Sequence, residues 1–108
     1  IEIIGDLARA AGERLHLLGY RNITVIHGDG YAGWPKRAPY DAIIVTAAPD
    51  RIPPPLIEQL RPGGRMVIPV GDSPLDQGLM LVVKRADGTV VTENKLPVRF
   101  VPLTRERR

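Results

Sequence analysis

Apolar residues along this chain fall into short runs broken by glycine, proline and acidic residues, and the spacing within each run predicts its element. After Gly5-Asp6, the positions Leu7, Ala11, Leu15 and Leu18 recur at helical intervals. They predict a helix with Asp6 as its N-cap and Gly19 as its C-terminal stop. Ile1-Glu2-Ile3 reads as the tip of a strand already under way, and the chain as a piece of something longer. Asn22-Ile23-Thr24-Val25-Ile26 is short and β-branched, which predicts a strand ending at the turn Gly28-Asp29-Gly30. A third strand is expected from about Asp41 to Val45. Pro53-Pro54-Pro55 opens a short helix, because proline suits a first turn whose N–H groups have no partner in the helix. Leu56, Ile57 and Leu60 would face a sheet, Arg61-Pro62-Gly63-Gly64 would end the helix, and the run from Arg65 to Gly71 reads as the next strand.

Strands and helices therefore alternate through the first two thirds, and the strands are almost continuously apolar, as in a parallel sheet covered on both faces. The last third differs. Leu79 to Lys84 and Val90 to Phe100 flank Ala86-Asp87-Gly88-Thr89 with no room for a crossover helix, so they predict an antiparallel hairpin on an Asp-Gly turn. The expected class is α/β, a mostly parallel sheet finished by an antiparallel C-terminal hairpin. No repeat or low-complexity segment interrupts it, and residues 1–108 read as one domain.

Composition narrows the function classes. With 108 residues, 44% hydrophobic and 25% charged, the chain has an ordinary core-forming balance. It has no cysteine, which removes disulfides and thiolate chemistry and fits an intracellular, cytoplasmic setting. No run approaches the ~20 apolar residues that span a bilayer, and none reads as a signal peptide. The net charge of +3 is mild, and the closing Arg105-Glu106-Arg107-Arg108 reads as a solvated tail. Neither nucleic acid nor membrane is expected as a partner, and the oligomeric state is open.

Two apolar runs carry the chemistry, because each stops at small or acidic residues, as strands do where they deliver polar groups to a crevice at their carboxyl ends. Asp29 between two glycines suits a turn in which backbone passes close to a flat ring while the side chain accepts from an exocyclic amine. An ordinary Asx turn is the plainer reading. Glu2 at a strand end suits the two hydroxyls of a ribose, against a simply solvated carboxylate. Thr46, with Ala47 and Ala48, would line a cavity or pack against the following loop. His16 reads as a surface histidine, His27 as a neighbour of the turn without a catalytic role, and Trp34 as a plug at the end of a small core. Two such separated histidines make no metal site.

Taken in order, Glu2, the helix to Gly19, Gly28-Asp29-Gly30 with Gly33-Trp34, Ala38-Pro39-Tyr40-Asp41, Val45-Thr46-Ala47-Ala48-Pro49, Leu60-Arg61-Pro62-Gly63-Gly64-Arg65 and Arg99-Phe100-Val101-Pro102-Leu103 resemble the protein-L-isoaspartate O-methyltransferase family over nearly the whole chain. The acidic strand end, the Gly-Asp-Gly turn and the Pro-Gly-Gly are generic to S-adenosylmethionine-dependent methyltransferases. The combination with Gly33-Trp34, the Ala-Pro-Tyr-Asp stretch and the closing Arg-Phe-Val-Pro-Leu is more particular. The resemblance implies a partial doubly wound, Rossmann-like methyltransferase domain, its C-terminal portion, lacking the first strand and glycine-rich loop that would precede Glu2. Loss of that central strand would leave neighbouring strands with unpaired edges.

What the resemblance implies about function is methyl transfer from S-adenosylmethionine to the free carboxylate of isoaspartyl residues in damaged proteins. Glu2, Asp29, Gly30 and Thr46 would bind the cofactor, while Val98 and Phe100 would border the peptide. No residue is expected as nucleophile or base, because an isoaspartyl α-carboxylate is already ionised at neutral pH. The alternatives are another small-molecule methyltransferase of the same fold, and a non-catalytic truncated interaction domain.

Overall fold

The computed structural model describes residues 1–105, so Glu106, Arg107 and Arg108 of the closing basic cluster lie outside the described residues. The described chain divides into two compact units, residues 1–30 with 104–105, and residues 31–103.

The first unit is a strand-end, helix, strand-end arrangement. Helix α1 spans Gly5–Leu17. Its N-cap is Ile4, with no side-chain cap, and Asp6 instead sits in the first turn, where its carboxylate meets Arg9 at 3.1 Å. An acid in that turn still favours the helix through the exposed N–H groups. The helix stops where expected, because Gly19 takes a positive φ of 85° that other residues resist. Its packed face is rotated from the predicted stripe. Ala8 is buried and Leu15 half-buried, whereas Leu7 and Leu18 are exposed. Small residues at Ala8 and Gly12 let the helix approach closely, and a Cβ on Gly12 would lie 3.9 Å from Val25.

Either side of α1, the two expected strands are reduced to one parallel bridge between Glu2 and His27. Glu2 N–H donates to Ile26 (2.9 Å) and Gly28 N–H to Glu2 (3.0 Å). The run Asn22 to Ile26 is thus extended but forms no ladder, because β-branching favours the conformation without supplying partners for its N–H and C=O groups.

The second unit is a four-stranded sheet in the order β1-β2-β3-β4. Its strands are β1 (Tyr40–Ile44), β2 (Leu60–Val70), β3 (Gln77–Lys84) and β4 (Val90–Val98). Helix α2 (Pro54–Gln59) follows Pro53 and runs directly into β2. β1 and β2 are parallel, while β2-β3 and β3-β4 are antiparallel. The α/β class stands, but parallel pairing is confined to β1-β2 and to two isolated bridges, so the sheet is mostly antiparallel. β2 also begins earlier than Arg65, because Leu60 already pairs with Tyr40 before a bulge carries the register to Ala42 opposite Arg65.

Leu56, Leu60, Met66, Ile68 and Val82 form the core of this unit, the last four with no exposed surface. The hairpin turn closes on Gly88, with φ of 88°. β1 is the sheet's edge, and Ile44 on it is 76% exposed. An apolar edge strand of this kind leaves a row of backbone N–H and C=O groups available for pairing.

Candidate functional site

In the first unit, the parallel bridge sets two chain segments side by side so that their carboxyl ends leave together. Glu2 is half-buried, and one of its carboxylate oxygens accepts a long bond from Ile4 N–H at 3.4 Å, leaving the other oxygen for further donors. Asp29 and Gly30, also half-buried, begin just beyond the bridge partner His27 and open a 3-10 turn over Gly30–Ala32. The predicted ribose acceptor and the predicted adenine turn are therefore brought together by the two backbone hydrogen bonds of that bridge. His27 is exposed, and its Nε2 lies 3.2 Å from the Ile3 carbonyl oxygen. That contact ties the ring to the segment before α1. An open groove of 470 Å³ between α1 and this segment is lined by Gly5, Gly12, Val25 and His27.

In the second unit, strand directions gather the remaining predicted residues at one end of the sheet. β1 and β2 finish there, β3 starts there and β4 finishes there. Thr46 is exposed, just beyond β1, after Val45 N–H has made a last ladder bond to Val67 at 3.0 Å. Ala48 and Pro49 behind it are buried. Ala48 N–H donates to Val101 (2.7 Å) and Leu103 N–H donates back to Ala48 (2.9 Å), a parallel bridge that fastens the closing segment to the loop after β1. Gly71 N–H donates to Pro49 (3.0 Å) from the end of β2. Val98 pairs with Gln77, and Phe100 is half-buried beside it. Thr46, Val98 and Phe100 thus belong to one locality.

Two residues that sequence reasoning passed over hold these loops in place. Gln77 is 6% exposed, and its amide makes a two-way clamp on Phe100: Nε2 donates to the Phe100 carbonyl (3.0 Å), and Phe100 N–H donates to Oε1 (2.7 Å). Gln59, 7% exposed, does the same for the loop after the Gly-Asp-Gly turn, donating to Ala32 (2.9 Å) and accepting from Trp34 N–H (2.9 Å). An amide carries both a donor and an acceptor, so one glutamine satisfies both peptide groups it meets. The only available signal was a polar residue in an apolar run, which does not reveal a partner more than twenty positions away.

Trp34 is half-buried, with Arg37 stacked 5.6 Å from its ring centre and its carbonyl accepting from the Tyr40 hydroxyl. It anchors a loop and lies outside the core cluster of Leu56, Leu60, Met66, Ile68 and Val82. His16 is exposed near the end of α1. Among the described residues, no group of three or more His, Cys, Asp or Glu is placed to hold a metal ion, and no helix is long and apolar enough to cross a membrane. Glu2 and Asp29 thus present half-buried carboxylates, which accept hydrogen bonds, from adjoining segments.

The family model for protein-L-isoaspartate(D-aspartate) O-methyltransferase matches residues 1–108. The chain is similar to protein-L-isoaspartate O-methyltransferase 2 of Polaromonas sp., 62% identical over 99% of this chain and 51% of that protein. It is 54% identical to protein-L-isoaspartate O-methyltransferase of Gloeobacter violaceus, over 99% of this chain and 52% of that one. It thus spans about half the length of these curated relatives. A solved structure of a protein-L-isoaspartate O-methyltransferase superimposes with a TM-score of 0.82 at 33% identity, covering 94% of this chain and 32% of that one. A second, a putative enzyme of that name from Plasmodium falciparum in complex with S-adenosyl-L-homocysteine, gives 0.80 at 24% identity over 97% of this chain and 51% of that one, a likeness of fold.

Proposed function

The chain belongs to the protein-L-isoaspartate(D-aspartate) O-methyltransferase family, and from that premise we propose that it serves methyl transfer from S-adenosylmethionine to the free carboxylate of isoaspartyl residues in damaged proteins, as the C-terminal portion of the methyltransferase domain. The observation that carries the reading is the parallel bridge that sets Glu2 beside the Gly28-Asp29-Gly30 turn. In nucleotide-binding α/β folds an acidic strand end takes the ribose hydroxyls. Glu2 would hold the ribose in this way, and Asp29 would accept from the adenine amine across the bare backbone of Gly30.

S-adenosylmethionine, when bound, supplies a methyl group on a positively charged sulfur. The chain's own work is alignment. Thr46 and the small residues after it would floor the site near the methyl donor, and Val98 and Phe100 would border the peptide whose carboxylate attacks in line. That carboxylate is ionised at neutral pH and gives up no proton, which agrees with a site in which no residue is assigned as base. Holding nucleophile, carbon and leaving sulfur collinear is a proximity effect that contributes several kcal/mol. The methyl ester so formed closes to a succinimide as the following backbone nitrogen displaces methanol, and water reopens the ring partly to normal aspartate. A cytoplasmic location, where protein ageing is repaired after synthesis, completes the proposal.

Calorimetric titration with S-adenosylhomocysteine tests it. Saturable binding is expected, and Asp29→Ala should weaken it at least about tenfold, the factor that ~1.4 kcal/mol represents. Unchanged affinity in Asp29→Ala would remove the adenine assignment and with it the reading of this turn.

A further inference from the structure

Asp87-Gly88 is one of two Asp-Gly pairs in the sequence, and it forms the exposed tip of the β3-β4 hairpin. The other, Asp29-Gly30, is half-buried. Aspartate followed by glycine is chemically fragile. The backbone nitrogen of the glycine can attack the aspartate side-chain carbonyl carbon; a C–N bond forms, water leaves, and a five-membered succinimide results. Water then adds at either carbonyl, and opening at the former backbone carbonyl leaves the chain running through the side chain. The sum adds and removes one water, with no oxidant or partner. Glycine favours the attack because it has no Cβ to crowd the nitrogen.

The turn engages both reacting groups. Gly88 N–H donates to the Arg85 carbonyl (2.8 Å), and Arg85 N–H donates to Thr89 (2.8 Å), so the nitrogen faces back toward residue 85. The Asp87 carboxylate is tied to the residue after the glycine. Its Oδ1 accepts from Thr89 N–H (2.9 Å) and from the Thr89 hydroxyl (2.6 Å). We propose that Asp87-Gly88 is an isoaspartyl-forming site of this chain, and that the Thr89 hydroxyl is the side-chain group that restrains it. The same bonds, the Thr89 hydroxyl foremost, hold the Asp87 carboxyl below the usual carboxylate range. Thr89 thereby also keeps the carboxyl in its ionised form, which is the poorer target for attack. The inference concerns the chain's own backbone and stands apart from methyl-donor binding.

Ageing the protein at neutral pH, digesting it and separating the isobaric peptides that contain residue 87 tests the site. Thr89→Val should raise the rate of isoaspartyl formation at Asp87 roughly five-fold, about the factor one ordinary hydrogen bond contributes. Thr89→Ser, which keeps the hydroxyl, should age like the native chain. In free peptides of residues 83–92 the Thr and Val forms should age equally, and both faster than the folded protein. A folded Thr89→Val protein that ages at the native rate would overturn the restraint, as would an equal Val effect in the peptides. Should Thr89→Val fail to fold, native protein against native peptide decides: equal rates overturn the restraint. A peptide that forms no isoaspartate overturns the site.

Discussion

Replacing Gln77 with alanine tests whether the end of the sheet is held by a single side chain. The native amide satisfies both the N–H and the C=O of Phe100, at 2.7 and 3.0 Å, from a position only 6% exposed. Removing it deletes two bonds and leaves two peptide groups to find water. An unsatisfied buried group costs roughly 1–3 kcal/mol, and Phe100 is half-buried, so the lower part of that range applies to each and the total is about 2–3 kcal/mol. The loss should be local at first. Phe100 leads into Val101 and Leu103, which bond both faces of the Ala48 peptide. Amide hydrogen exchange should therefore accelerate by one to two orders of magnitude, the equivalent of ~1.4–2.8 kcal/mol, at Phe100, Ala48 and Leu103, with Met66 and Val82 in the core unaffected. If Ala48 and Leu103 exchange as in the native protein, Gln77 does not position that segment and the clamp is only local.

Two further outcomes follow from particular contacts. Gly33→Ala should destabilise by about 2–4 kcal/mol in denaturant unfolding, since Gly33 has φ of 62° and a Cβ there would lie 2.2 Å from Gln59 Oε1, displacing the side chain that holds Ala32 and Trp34. The bonds from Thr89 hold the Asp87 carboxyl below the usual carboxylate range in the folded state, so its contribution is fully present above the unfolded-state pKa and is lost as pH falls through the lower folded one. Native protein should therefore lose a small increment of stability on acidification from about pH 5 to below pH 3 that Asp87→Asn lacks, and superimposable pH–stability curves would contradict the bond from Thr89.

Local chemistry made much of the fold legible. The prolines before α2, the glycine after α1 and the Asp-Gly between β3 and β4 each fix a backbone conformation through neighbours in the chain, and each boundary lies near where it was expected. What failed depended on distant partners. Asn22 to Ile26 has the residues of a strand, yet a strand exists only where another chain segment meets its N–H and C=O groups, and within this run only the Ile26 carbonyl is so met, by Glu2 N–H. The apolar stripe of α1 was misplaced for a related reason. Small Ala8 and Gly12 mark the close approach, a signal weaker in the sequence than the leucines that remain exposed.

The proposed site shows the same division between what residues announce and what positions them. Glu2, Asp29, Gly30 and Thr46 stood out because acidic or small residues ended apolar runs, and the chain's bridges join Glu2 to the Gly-Asp-Gly segment and Ala48 to Val101 and Leu103. Neighbouring loops are also held by side chains from elsewhere in the chain. That work falls to Gln59 and Gln77, each buried, each satisfying a donor and an acceptor of a loop more than twenty residues away. A methyl transfer that relies on alignment rather than on a base would be sensitive to such clamps, because displacing the reacting groups by even 1 Å can cost about a hundredfold in rate. Substitutions at the two glutamines should then lower turnover while leaving the residues assigned to the cofactor chemically intact, which separates loss of position from loss of contact.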